Sequence, residues 1–99
     1  MLIREFLVPP PDPSQHRAGL RLPLSPGARV FGLSVHDGSA WLAIGYDPTA
    51  ERSSQRFALV RSDTLLREGE EAASYIGTFA SYATRSGRTV WHVLALQEE

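Results

Sequence analysis

Cysteine, lysine and asparagine are all missing from the 99 residues. Without cysteine there is no disulfide, no thiolate nucleophile and no Cys-based zinc site, a usage that fits a reducing compartment. Without lysine no Schiff base can form, and all ten basic residues are arginine. Low asparagine and cysteine are thermophile traits but absent lysine is not, so the bias reads as the codon usage of a GC-rich genome, with a thermophilic source as the lesser alternative. Charge of one sign is missing too: ten basic against eleven acidic side chains give a net charge of -1. The strong positive field on which non-specific nucleic-acid binding depends is therefore not there.

Long apolar runs are also lacking. No stretch of about 20 apolar residues occurs, and Met1 to Val8 carries Arg4 and Glu5 before it meets Pro9, Pro10 and Pro11. The expectation is a cytoplasmic protein with neither a secretory signal nor a membrane span. What is present is an ordinary globular mixture, 42% hydrophobic and 21% charged, enough for a single domain over residues 1–99.

Short apolar stretches separated by Pro, Gly, Asp and Ser predict an all-β fold, a seven-stranded antiparallel sandwich or partly open barrel. Strands are expected over 2–8, 17–22, 29–36, 40–47, 55–62, 74–82 and 88–97. Pro23 is read as the end of the second. Asp37-Gly38 suits a type I′ turn between the third and fourth, and Gly87 supplies the left-handed position for the last hairpin. The final strand has apolar residues on both faces, as a central strand would. A helical turn is expected within 63–73, capped by Ser62 or Asp63 and broken at Gly69. The predicted core is Phe31, Leu33, Val35, Leu42, Ile44, Phe57, Leu59, Ile76, Val90 and Val93.

Motifs for chemistry are sparse. His36 and Asp37 are strand neighbours and are expected to point to opposite faces. Ser34 shares a face with His36, yet Gly32-Leu33-Ser34-Val35-His36 lacks the second glycine of a nucleophile elbow. The three histidines, His16, His36 and His92, have no metal-motif spacing. His92 reads as a core-edge histidine bonded to backbone. Glu70-Glu71 and Glu98-Glu99 fall in stretches expected to be solvated, where acid/base tuning does not arise. The glycines are dispersed, so no phosphate loop is formed. Pro10 to Pro13 matches P-x-x-P and reads as a stiff connection. No catalytic residue, metal site or cofactor is expected.

The order of segments resembles a family of small uncharacterised proteins encoded by tailed bacteriophages and prophages. The resemblance is carried by Leu22-Pro23, Pro26 to Val30, Leu33 to Leu42, Tyr46-Asp47-Pro48, Tyr75 to Phe79 and Val90 to Val93. The chain departs from that pattern in the acidic 63–73 stretch and in the tail beyond Val93. The resemblance implies a phage or prophage setting, in the host-cell cytoplasm, and brings no activity with it.

The function expected on these grounds is non-catalytic binding to a host or phage protein, with a homodimer through the Leu2 to Val8 edge as a further partner. A single-stranded nucleic-acid binder using Arg85, Arg88 and neighbouring aromatics is the alternative, disfavoured by the net charge. Recognition on β scaffolds falls on loops and exposed aromatics, which selects Trp41, Tyr82, Arg85 and Arg88 at the two hairpin ends as the binding residues.

Overall fold

A computed structural model describes residues 1–83 and 87–96. The strands are β1 (Leu2–Val8), β2 (Arg17–Leu24), β3 (Arg29–His36), β4 (Ser39–Tyr46), β5 (Ser53–Arg61), β6 (Ser74–Ala83) and β7 (Gly87–Ala95), with one short helix, α1 (Glu68–Glu71), before β6. They form two antiparallel sheets in a sandwich-like arrangement, one of order β1-β4-β3 and one of order β2-β5-β7-β6. The expected seven-stranded all-β sandwich is thus what the chain forms.

Local chemistry explains the register. Asp37 and Gly38 both take positive φ, 52° and 74°, so the β3–β4 turn is the two-residue left-handed type that matches strand twist. A bulge between Val30 and Gly32 then shifts the β3–β4 ladder, turning Phe31 out onto the face opposite the core. Pro23 does not end β2. It lies within the strand, which is tolerated because β2 is at a sheet edge, where a missing N–H breaks no second ladder.

The core between the sheets holds Trp91, Phe57, Leu59, Val93, Leu42, Ile44, Leu24 and Val8, all essentially inaccessible. β7 lies inside its sheet, as its two-faced apolar pattern predicted. Leu33 and Ile76 pack against this core from its margin, and Val90 is half-buried. Three predicted core residues are not in it: Val90 falls on the outer face of the four-stranded sheet, the face opposite Trp91, and Phe31 and Val35 are exposed. Phe31 is 52% exposed because the bulge reverses it, and Val35 is 59% exposed because it sits at the mouth of the sandwich. Leu33 lies against Gly77, where a Cβ would come within 3.4 Å of it, so the two sheets meet along β3 and β6. The opposite side, bounded by β1 and β2, is open: Arg4 shares the inner face with Ile44 yet is exposed.

A second, smaller apolar cluster of Ala58, Val60 and Leu94 lies on the outer face of the four-stranded sheet. The segment 62–73 is fastened over this face by Arg17 and Glu70. Helix α1 starts later than expected, at Arg67 rather than Ser62 or Asp63, and Gly69 lies within it. Asp63 instead takes a positive φ of 67°, which a helix cap would not. Glu70, expected to be solvated, is buried.

Candidate functional site

Four groupings of side chains stand out. At one pole, the β3–β4 turn and the end of β6 border a cleft of about 250 Å³. Its walls include Val8, Val35, Ala40, Phe79 and Tyr82, with Gly38 and Ser39 at the rim. Tyr82 is 76% exposed and is the direct cross-strand partner of Arg88, itself exposed. The two hairpin ends therefore lie at the same pole. Arg85 and Glu98-Glu99 lie outside the described residues.

Trp41 does not join this surface. It points to the outer face of the three-stranded sheet, where the His36 ring stacks on it at 5.2 Å with planes 8° apart. Its indole N–H donates to the His36 carbonyl at 3.2 Å. His36 Nε2 lies 2.8 Å from Glu5 Oε2, and Nδ1 lies 3.3 Å from Asp37 Oδ2. The expectation that His36 and Asp37 diverge fails because Asp37 has left the strand for the left-handed turn. Ser34, on the same face, donates to Glu5 at 3.4 Å. Farther along this face Met1 and Phe31 lie over Gly45, where a Cβ would come within 2.7 Å of both side chains. A side chain at this position would have to push these two exposed side chains aside.

The hydrogen bond to Glu5, and then that to Asp37, raise the His36 pKa above its ordinary 6.5. Because the folded value is raised, the stabilising contribution is complete below the ordinary value and is lost as pH climbs through the raised one. An NMR titration of the His36 ring should give a midpoint above that of free histidine, and Glu5→Gln should bring it down. A midpoint unmoved by Glu5→Gln would show that the contact does not persist in solution.

His92 is the centre of the third group. Its Nε2 lies 2.8 Å from Ser62 Oγ and its Nδ1 lies 3.0 Å from Tyr75 Oη. The ring faces the outer side of the four-stranded sheet and binds side chains, not backbone as expected. A hydroxyl, a base and a group orienting that base are the parts of an activated nucleophile. Among the described residues, however, no carboxylate meets the ring to stabilise an imidazolium. What the arrangement does is pin Ser62, at the end of β5, to β6 and β7.

The fourth group is Arg17 and Glu70. The guanidinium donates to both carboxylate oxygens, Nε at 3.1 Å and Nη2 at 3.0 Å, and Nη2 also donates to the Leu65 carbonyl at 2.8 Å. The Arg67 backbone N–H donates to Glu70 Oε1 at 2.8 Å. The Arg17 hydrogen bonds hold the Glu70 carboxyl below its ordinary pKa against the opposing effect of burial. This pair fastens segment 62–73 to β2.

Of the residues selected from the sequence, Tyr82 borders the cleft and Arg88 is its cross-strand partner, while Val8, Val35 and Phe79, which wall the cleft, were not selected. The proximity of Val35 to the Asp37-Gly38 turn was the available signal. Among the described residues no group of His, Asp or Glu is arranged to hold a metal ion, and no helix is long and apolar enough to cross a membrane. Comparison of the chain with protein-family models, with curated proteins and with solved structures gives no match.

Proposed function

We propose that the chain is a non-catalytic binding module that holds a host or phage protein at the pole formed by its two hairpin ends. The observation that carries this reading is the cleft bordered by exposed Val35 and Tyr82, with Arg88 paired to Tyr82 on the neighbouring strand. A cleft walled by Val8, Val35 and Phe79 with an exposed aromatic at its border has the composition of an interface hot spot, and it would take an apolar side chain of the partner. A second copy of this chain, paired through the open edge of β1, is the other partner we propose.

The test is a binding measurement on a partner captured with the wild-type chain and then purified. Tyr82→Ala and Val35→Ser, each confirmed as folded by circular dichroism, should weaken that binding by about tenfold or more. Unchanged affinity in both would place the contact elsewhere.

The nucleic-acid alternative draws on the same pole, since Tyr82 and Arg88 are paired across β6 and β7 and an aromatic beside an arginine can stack a base. It requires affinity for a single strand that falls steeply with salt and is reduced by Arg88→Ala. Salt-insensitive binding would exclude it.

A further inference from the structure

Strand β1 has the residue pattern of an interior strand and the position of an edge strand. Leu2, Phe6 and Val8 share the inner face with Tyr46, Leu42 and Ala40, while Ile3 and Leu7 share the outer face with Gly45 and Trp41. Apolar residues on both faces are the mark of a strand covered on both faces, and an edge strand left with exposed apolar residues is a template for pairing with another chain. β1 has β4 on one side and, among the described residues, no strand on the other. Ile3 is 61% exposed and Leu7 47%. β2, the corresponding edge of the other sheet, carries Pro23 and so is blunted. The outer edges of β3 and β6 face one another.

The sequence of β1 is complementary to itself in one register. A two-fold axis normal to the sheet keeps each side chain on its own face, so it can be centred on Arg4, Glu5 or Phe6. Centring on Arg4 sets Arg4 against Arg4, places Ile3 against Glu5 and leaves Val8 beyond the partner. Centring on Phe6 draws Pro9 and Pro10 into the ladder, where they have no N–H to give. Centring on Glu5 pairs all seven residues of the strand. Ile3 then lies opposite the second copy's Leu7, Leu2 opposite its Val8, and Arg4 opposite its Phe6 ring. The cost falls at the axis, where the two Glu5 residues lie directly opposite one another, each carboxylate reaching back over β4 to its own His36, and the like charges repel.

Each Glu5 already has a compensating group, the His36 ring at 2.8 Å. The groups facing His36 are Glu5 from β1, Asp37 from the turn and the uncharged Trp41 ring from β4. Arg4 is on the other face of β1. When His36 is protonated, the axis holds two ion pairs. When it is neutral, the axis holds two bare carboxylates.

Resting on the homodimer reading above, we infer that two copies join antiparallel through β1 with Glu5 on the two-fold axis, and that protonation of His36 strengthens this pairing. The product is a continuous six-stranded sheet, its strand order running β3-β4-β1 and then the second copy's β1-β4-β3.

Sedimentation across a wide concentration range, at about pH 5.5 and about pH 8.5, reads the pairing directly. The wild type should dimerise more tightly at the lower pH, and Glu5→Gln should tighten the dimer about fivefold at the higher pH while removing most of the pH dependence. Because the chain has no cysteine, single-cysteine variants report the register. Glu5→Cys should form an intermolecular disulfide readily, and Arg4→Cys and Phe6→Cys should not. A monomer at both pH values would overturn the homodimer reading itself. A dimer whose affinity ignores pH, or one cross-linked through Phe6→Cys instead of Glu5→Cys, would leave the homodimer standing and overturn this register and its control.

Discussion

Trp91→Ala should leave the protein close to or past the point of unfolding. Trp91 is fully inaccessible and is the largest side chain of a cluster that includes Phe57, Leu59, Phe79 and Val93. Truncating a buried tryptophan costs about 3 to 5 kcal/mol, part lost transfer energy and part cavity. A domain of this size has only about 5 to 15 kcal/mol in total, so the substitution removes much of the margin. Denaturant unfolding followed by circular dichroism checks it, with Trp41→Ala as the comparison. Trp41 is half-buried on the outer face and stacked by a single ring, and its loss should cost about 1 kcal/mol. Equal losses from the two tryptophans would mean that the inner and outer faces have been assigned wrongly.

Arg17→Ala should release the segment 62–73 from the four-stranded sheet. The substitution leaves Glu70 buried among its hydrogen bonds without its cation, and it frees the Leu65 carbonyl at the same time. Removing one partner of a fully buried pair costs about 3 to 5 kcal/mol. Because the Arg17 side chain keeps 24% of its exposure, about 2 kcal/mol is the expected figure after allowing for solvent screening. The loss should be local: hydrogen exchange in 62–73 should accelerate more than exchange in β4 or β7. Lowering the pH should mimic the variant. Glu70 has a depressed folded pKa, so its contribution is present above the ordinary carboxylate range and disappears as pH falls through the folded value. Uniform acceleration of exchange over the whole chain would show that the segment is not a separate unit.

Much of the fold was legible in the residues because the signals are local. Asp37-Gly38 specifies a left-handed turn by itself, and a final strand with Trp91 and Val93 on one face and Leu94 on the other belongs in the interior of a sheet. What was not legible depends on distant partners. Whether Pro23 ends a strand or lies within one depends on whether that strand is an edge. Phe31 alternates correctly with Leu33 and Val35, and only the bulge beside it reverses its direction. Glu70 looked solvated because its cation is 53 positions away in the chain. The candidate site divides in the same way. Tyr82 and Arg88 are conspicuous by type. The cleft beside Tyr82 exists only because strands from both sheets end together there, and the stacking of His36 on Trp41 follows from a cross-strand register.

The route of the chain between the sheets also sets an order of events. β1 and β2 are made first, yet neither pairs with its neighbour in the chain: β1 pairs with β4, where Leu7 meets Trp41, and β2 pairs with β5 beyond the β3–β4 hairpin, where Leu20 meets Phe57. Neither opening strand has a partner nearby, so neither gains anything until a loop of about thirty residues has closed. The β3–β4 hairpin, with its preformed turn, pairs strands adjacent in the chain, as β6 and β7 also do, and both opening strands must wait for their distant partners. Such a topology places folding on the millisecond-to-second scale typical of non-local β pairing. During that interval the two-faced apolar strand Leu2–Val8 is free of its sheet, and at high concentration it can meet its own sequence on another chain before it finds β4 on its own.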